Sequence, residues 1–128
     1  MKTVRMLPLL LLLLSCAKGN SLPTIEFKQK TLDVGTLVIS DENHIYKIPI
    51  TNTGDQTLRI TSSGTDCSCT KIVSIPDSVP GGKSAEIVIS INVSELFPMD
   101  MKKRLYLVTN ACDTTICYPI TGKLVRSL

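Results

Sequence analysis

Apolar and polar residues alternate along most of this chain, which is the pattern of strands that bury one face. Apolar side chains recur at every second position in 46–50 and in 85–93, where only Val88 breaks the order. No long stretch repeats apolar residues at intervals of three and four, as a helix would require. We therefore predict strands near residues 24–28, 44–52, 57–62, 70–75, 84–92, 102–109 and 116–125, with a minor strand near 36–40.

Turn-forming residues separate these predicted strands. Asn52-Thr53-Gly54-Asp55 divides two of them, Pro80-Gly81-Gly82-Lys83 precedes another, and Asp113-Thr114-Thr115-Ile116 joins the last two. Short strands with regularly spaced turns are typical of a two-sheet sandwich. The pattern thus predicts an all-β fold with seven main strands.

The N-terminus departs from this alternation. Lys2 and Arg5 precede an apolar run over residues 7–14, which ends in Ser15-Cys16. The run is too short to span a bilayer, which takes about 20 apolar residues, but it suits the h-region of a signal peptide. The order resembles a bacterial lipoprotein signal, in which Cys16 becomes the acylated N-terminus and carries fatty chains such as palmitate. An ordinary signal peptide is the alternative.

The lipoprotein interpretation divides the chain into three parts. Residues 1–15 are the signal peptide, 16–23 a lipidated tether and 24–126 a single sandwich domain. Removal of the signal leaves 128 − 15 = 113 residues, which is the size of one domain. We expect the mature protein in the bacterial cell envelope, anchored to the lipid membrane through Cys16, with the outer membrane favoured over the inner one.

Charge and residue content narrow the function. The net charge of 14 − 11 = +3 falls to 12 − 11 = +1 once Lys2 and Arg5 are removed. No basic patch with interleaved aromatic residues occurs, so nucleic acid is not an expected partner. His44 is the only histidine and no nucleophile motif accompanies it. We therefore expect a protein that is not an enzyme and that binds an envelope protein or a glycan.

Several short motifs carry a resemblance to a known family. The motifs are N-T-G in 52–54, C-S-C-T in 67–70, Pro80-Gly81-Gly82 and I-T-G-K-L in 120–124. In this order they resemble a bacterial domain-of-unknown-function family over about residues 24–125. The resemblance implies an immunoglobulin-like β-sandwich similar to pilus chaperones and major sperm proteins, often secreted or lipid-anchored, and implies no established activity. Ser68 stands where the family usually has glycine.

The four cysteines after Cys16 form two pairs with different predicted roles. Cys112 and Cys117 flank a predicted hairpin loop, where a structural disulfide is the favoured interpretation. Cys67 and Cys69 would lie nearly 7 Å apart in an extended strand, at the limit for a disulfide. A bent C-S-C segment could still close such a bond, and two thiols on one face could instead hold a soft metal.

The predicted topology brings further soft ligands to the end of the sandwich that holds Cys67. Met99 and Met101 would lie in a connection at that end, and His44 would open a strand there. Thiolate, thioether and imidazole together suit Cu(I), although methionines are more often gap-fillers in a core. The main hypothesis is therefore a membrane-anchored binding or scaffolding module without a cofactor. The alternative is a Cu(I)-binding or thiol-redox protein that uses Cys67 and Cys69.

Overall fold

The computed structural model describes residues 22–127, so the predicted signal peptide, Cys16 and residues 17–21 of the tether lie outside the described residues. The described part forms nine strands: β1 (Glu26–Phe27), β2 (Leu32–Val38), β3 (Asn43–Thr51), β4 (Leu58–Thr65), β5 (Thr70–Ser74), β6 (Ser78–Val79), β7 (Ser84–Asn92), β8 (Met99–Thr109) and β9 (Ile116–Val125). Over the same residues there is no helix, and so no helical segment that could cross a bilayer.

The strands form two sheets that pack as a β-sandwich, which confirms the predicted fold class. One sheet has the order β1-β3-β7-β5 and the other the order β2-β9-β8-β4-β6. Neighbouring strands are antiparallel, except that β2 runs parallel to β9. Because β4 and β5 belong to different sheets, residues 66–69 carry the chain across the sandwich.

The alternating residues become the core. In β3, β7, β8 and β9 the buried positions recur at every second residue over most of the strand, so each strand turns one apolar row inward. Full burial of one such aliphatic side chain contributes about 1.5–3 kcal/mol. The central side chains of this core are Ile48, Ile50, Ile87, Ile89, Ile91, Leu105, Leu107 and Ile120.

Asp33 and Gly35 explain why β2 was predicted only as a minor strand. An Asp33 Oδ1 atom accepts a hydrogen bond from the Gly35 N–H at 2.8 Å, and Gly35 has a φ of 71°. Residues other than glycine rarely adopt that conformation. The register with β9 shifts between Asp33 and Thr36, which interrupts the alternation on which the prediction depended.

Two other strands differ from the prediction. Strand β8 begins at Met99 rather than near residue 102, so Met99 and Met101 belong to a strand and not to a connection. Strand β6 contains only Ser78 and Val79, which is too short to show an alternating pattern in the sequence. The seven predicted main strands are present, and the total rises to nine.

Candidate functional site

The side chain of Asn52 forms four hydrogen bonds at one end of the sandwich. Its side-chain oxygen accepts hydrogen bonds from the Thr24 and Gly54 N–H groups, both at 3.0 Å. Its side-chain nitrogen donates to the carbonyls of Gln56 at 2.8 Å and Val79 at 2.9 Å. Asn52 is completely buried and every side-chain hydrogen-bonding group has a partner. The N-T-G motif therefore ties together three chain segments and has a structural role.

The P-G motif packs against the same turn. A Cβ atom at Gly81 would collide with the carbonyl oxygen of Asp55, so the close approach of the two turns requires glycine there. Backbone hydrogen bonds join the turns: Asn52 N–H donates to Lys83 at 2.9 Å, and Gly82 N–H donates to Asn52 at 2.7 Å. The two turns are thus fixed to each other by close packing and backbone hydrogen bonds.

Cys67 and Cys69 lie where the chain crosses from β4 to β5, and their sulfurs form a disulfide. Their Cα atoms are 5.0 Å apart, so the segment is bent and not extended. The Thr70 N–H and the Thr65 hydroxyl both donate to the Cys67 carbonyl at 3.1 Å. These bonds hold the bend that brings the sulfurs together.

The two sulfurs of this disulfide have different surroundings. Cys67 is half-buried, and its Sγ accepts a hydrogen bond from the Cys69 N–H at 3.1 Å. Cys69 is buried, and its Sγ lies 3.4 Å from the Thr70 hydroxyl. An external thiol would therefore reach Cys67 more easily, and a Cys67 thiolate would have a backbone donor beside it.

Asp66 and Arg104 fix the end of β4 immediately before the disulfide. The Arg104 backbone N–H donates to one Asp66 carboxylate oxygen at 2.8 Å, and the Arg104 Nε donates to the other at 3.2 Å. The Asp66 N–H donates in return to the Arg104 carbonyl at 3.3 Å. Burial opposes the charged carboxylate, but the hydrogen bonds and the charge of Arg104 outweigh it and lower the pKa of Asp66.

The residues predicted to hold Cu(I) are not brought together. His44 opposes Ile91 in β7, which in turn opposes Thr70, so two strand spacings of about 4.8 Å each separate His44 from Thr70. Met99 and Met101 lie in the other sheet, opposite Leu124 and Gly122, and Met101 is buried in the core.

The state of the two sulfurs and the positions of the other potential metal ligands also argue against a Cu(I) site in this structure. With Cys67 and Cys69 bonded to each other, neither sulfur is a thiolate ligand, and the set does not fit Cu(I) in this state. Between residues 22 and 127, no three His, Cys, Asp or Glu side chains form a group that could hold a metal ion. His44 Nε2 is buried without a hydrogen-bond partner in that range.

The predicted pairing of Cys112 with Cys117 is corrected by the structure, in which both are free, exposed thiols. The reason is the register of the last hairpin. Cys117 opposes Tyr106, and the loop runs from residue 110 to 115, so Cys112 lies within the loop and not opposite Cys117. The sequence suggested a shorter loop because Cys112 was counted as its border.

An apolar groove of about 620 Å³ opens between β1 and the first half of β9, and we call it the β1–β9 groove. Phe27 and Tyr118 line it and stack on each other with ring centroids 4.3 Å apart, which joins the two sheets. The Tyr118 hydroxyl donates to the Gln29 carbonyl at 2.9 Å, and burial raises the pKa of Tyr118. Further lining residues are Ile25, Glu26, Lys30, Cys112, Ile116 and Cys117.

One edge of β9 is open beside this groove. Strand β2 pairs with β9 only from Ile120 onward, so residues 116–119 have no strand on that side within the described chain. Both backbone groups of Arg104 bond to Asp66, so the Arg104–Pro119 pair shares no hydrogen bonds. Cys117, two residues before Pro119, therefore turns its backbone N–H and C=O toward the open side, whereas Pro119 has no N–H to donate.

The sequence did not reveal this groove or the Asp66–Arg104 pair. Phe27 and Tyr118 lie at opposite ends of the domain sequence, and nothing local marks them as partners. Arg104 lies in the basic run Lys102-Lys103-Arg104, which by itself indicates no partner, and Asp66 was not singled out. The one available signal was the position of Asp66 directly before the C-S-C motif. A carboxylate there could fix the segment that crosses from one sheet to the other.

The fold places the protein among immunoglobulin-like β-sandwiches, and comparison with known proteins agrees. A protein of unknown function from Porphyromonas gingivalis W83 is similar with a TM-score of 0.64 and 21% identity, over 80% of this chain and 46% of that one. The secreted serine protease VesC from Vibrio cholerae gives 0.63 and 13%, over 79% and 23%. The ASH/PapD-like domain of human CEP192 gives 0.58 and 9%, over 82% and 87%.

The chain belongs to the family described as "Protein of unknown function (DUF1573)", which matches residues 25–124. The predicted resemblance to a domain-of-unknown-function family with this fold is thereby confirmed. No curated protein matches the chain. The chain spans less than half the length of the first two similar structures, and at these identities the likeness shows the fold alone.

Proposed function

We propose that this protein is a bacterial envelope lipoprotein whose sandwich binds an extended segment of another envelope polypeptide in the β1–β9 groove. The observation that carries the proposal is the open edge of β9 at residues 116–119, directly beside an apolar groove. An added strand would bond to the backbone N–H and C=O of Cys117, while its alternate side chains enter the groove. Strand addition of this kind is a common mode of peptide recognition.

The position of the groove in the sequence supports a function close to the membrane. Pro23 and Thr24 line the groove, and Pro23 lies 23 − 16 = 7 residues after Cys16. Seven residues span at most about 25 Å even when fully extended. A lipid anchor on Cys16 would therefore keep the groove near the membrane surface, where a neighbouring envelope protein could present a segment.

The binding role is tested by photo-crosslinking in intact cells. A photoreactive residue replaces Lys30 in the groove, and a matched control carries it at the exposed Lys47 of β3, which does not line the groove. We expect a discrete polypeptide adduct from position 30 and none from position 47, and a synthetic peptide of the captured segment should suppress the adduct. Equal labelling at both positions, or no adduct at either, would contradict the proposal.

The anchor is tested separately by the intact mass of the protein. The wild-type protein should lack residues 1–15 and carry acyl mass, whereas Cys16→Ala should keep its leader and carry none. An unacylated wild-type protein would refute the anchor and leave the crosslinking result to decide the binding role.

The second candidate function is thiol redox at Cys67 and Cys69. It is favoured by the disulfide itself and by the Cys69 N–H that donates to the Cys67 sulfur, because such a donor stabilises a thiolate. Cu(I) binding would require the reduced pair. Free thiols are counted before and after mild reduction, and the reduced protein is titrated with Cu(I) beside a Cys67→Ser, Cys69→Ser variant. Unchanged affinity in that variant would exclude the metal role.

A further inference from the structure

Two free thiols line the same groove. Cys112 lies in the loop between β8 and β9, Cys117 is the second residue of β9, and both are exposed. Both belong to the walls of the β1–β9 groove, where Phe27 and Tyr118 supply an apolar surface. A molecule in the groove would therefore meet two reactive sulfurs that are close in the chain and are not already bonded.

Cys112 has the surroundings of a nucleophile. Its Sγ lies 3.3 Å from the Thr114 hydroxyl. Hydrogen bonds from the Thr114 side chain and backbone lower the pKa of Cys112, and they outweigh burial and the Asp113 carboxylate, which act in the opposite direction. The reactive form of cysteine is the thiolate, so a lowered pKa in an exposed position increases reactivity near neutral pH.

A bond between the two sulfurs requires Cys112 to approach Cys117. Its first residue, Asn110, is held: the Asn110 N–H and side-chain oxygen both bond to Arg59 of β4, at 3.1 and 2.8 Å. By contrast, residues 112–115 are all exposed. A disulfide requires Cα atoms roughly 4.4–6.8 Å apart, and a shift within this exposed half can provide that approach without breaking the β8–β9 ladder.

We propose that Cys112 and Cys117 form a thiol–disulfide exchange site for organic disulfides that enter the β1–β9 groove. The Cys112 thiolate attacks one sulfur of the incoming disulfide, a new S–S bond forms to Cys112, and the other half leaves as a thiolate that takes up a proton. Cys117 then loses its proton, attacks the Cys112 sulfur and expels the second half in the same way. The incoming disulfide gains two electrons and becomes two thiols, and the two cysteines become one disulfide.

This site goes beyond the proposed binding function and does not depend on it. Exchange is measured on the purified full-length protein, whereas binding is measured by crosslinking in cells, so either can fail alone. The incoming disulfide could belong to a small molecule or to a polypeptide, and two probes distinguish these substrates. One probe is oxidised glutathione, and the other is a disulfide-linked peptide with an aromatic residue beside each cysteine.

Peptide mapping by mass spectrometry follows the reaction. We expect the wild-type protein to lose two hydrogens and to link Cys112 with Cys117, and Cys117→Ser to keep a stable mixed disulfide on Cys112. Cys112→Ser should form its mixed disulfide on Cys117 about tenfold more slowly, because thiolate character governs the attack. Thr114→Val should slow the first step, and Thr36→Val, a change at an exposed threonine that does not line the groove, should react like the wild type.

Two results would overturn the proposal: mixed disulfides on both cysteines without an internal link, or equal rates for Cys112→Ser and Cys117→Ser. Both cysteines are exposed, so these variants should fold, and circular dichroism checks each one. Reaction with glutathione alone assigns small disulfides as the substrate, and reaction with the peptide assigns polypeptide disulfides. Reaction with neither probe also overturns the proposal.

Discussion

The rings of Phe27 and Tyr118 stack at a centroid distance of 4.3 Å and an interplanar angle of 21°, and this contact joins the two sheets where the sandwich is open. Strand β1 has only two residues and pairs with β3 alone. So short a strand has few ladder hydrogen bonds to hold it. The stacked pair therefore fixes β1 and one wall of the β1–β9 groove.

Replacing Phe27 by leucine should remove the stacking but keep most of the apolar volume. We expect the free energy of unfolding to fall by about 1 kcal/mol, which is the usual excess of an aromatic pair over simple burial. Urea unfolding measures the change. A matched control is Phe97→Leu, because Phe97 is 74% exposed and its replacement should change stability by less than about 0.5 kcal/mol.

A double-mutant cycle with Tyr118→Leu separates the pair from its surroundings. The two single changes should be non-additive by roughly 0.5–1.5 kcal/mol. Strict additivity would show that the rings pack independently and that the stack does not hold β1.

Asn52→Ala should be among the most destabilising single substitutions in the domain. It leaves two N–H groups and two carbonyls without their partner in a buried turn region. Each unsatisfied buried group costs about 1–3 kcal/mol, so we expect a loss of at least about 3 kcal/mol in the free energy of unfolding. Thermal or urea unfolding measures it.

The control for this substitution is Asn43→Ala. Asn43 is exposed and its side-chain oxygen accepts one hydrogen bond, from Asn92 at 3.0 Å. Its loss should cost less than about 1 kcal/mol. Similar losses for the two variants would mean that the N-T-G motif does not organise this end of the sandwich.

The sandwich could be predicted because β3, β7 and β9 keep a period of two over most of their length, which reports directly which face is buried. Strand β2 could be predicted only in part, because the turn at Gly35 shifts its register. The two residues of β6 carry no period at all. Pairing between distant strands, including the parallel contact of β2 with β9, depends on tertiary packing that a local pattern does not contain.

The candidate sites likewise divide into features set by neighbouring residues and features set by contacts between distant residues. The bend at Cys67 and Cys69 was foreseen as an alternative because two residues set its geometry. The predicted Cys112–Cys117 disulfide is not formed in the structure, because the register, set by contacts along the whole hairpin, places Tyr106 opposite Cys117. The β1–β9 groove needed Phe27 and Tyr118 to meet across the sandwich, and no sequence spacing encodes that meeting.

The Cys67–Cys69 disulfide should contribute little to stability. It closes a ring with a single intervening residue, and the chain-entropy relation gives about 2 kcal/mol or less for so small a loop. We expect Cys67→Ser with Cys69→Ser to fold and to lose no more than this amount in urea unfolding. A much larger loss would show that the bond is needed to hold the crossing between the two sheets.

Asp66 should make stability depend on acid pH. Because Arg104 holds the Asp66 pKa below its ordinary value of 3.8, folding favours the ionised carboxylate. The stability that this provides is complete at neutral pH and is lost as the pH falls from 3.8 through the lower folded-state pKa. Urea unfolding at neutral and acid pH should therefore show a smaller acid loss for Asp66→Asn than for the wild type.

Arg104→Ala tests the cause of this shift directly. The variant keeps the backbone N–H that bonds to Asp66 but loses the guanidinium, so the Asp66 pKa should rise while part of the hydrogen bonding remains. The chemical shift of the Asp66 carboxyl carbon, followed by NMR during an acid titration, measures this pKa. Lys102→Ala is the matched control, since Lys102 is an exposed cation on the same strand. An equal rise in both variants would assign the shift to general surface charge, whereas a rise in Arg104→Ala alone would assign it to the specific pair that anchors the chain before Cys67.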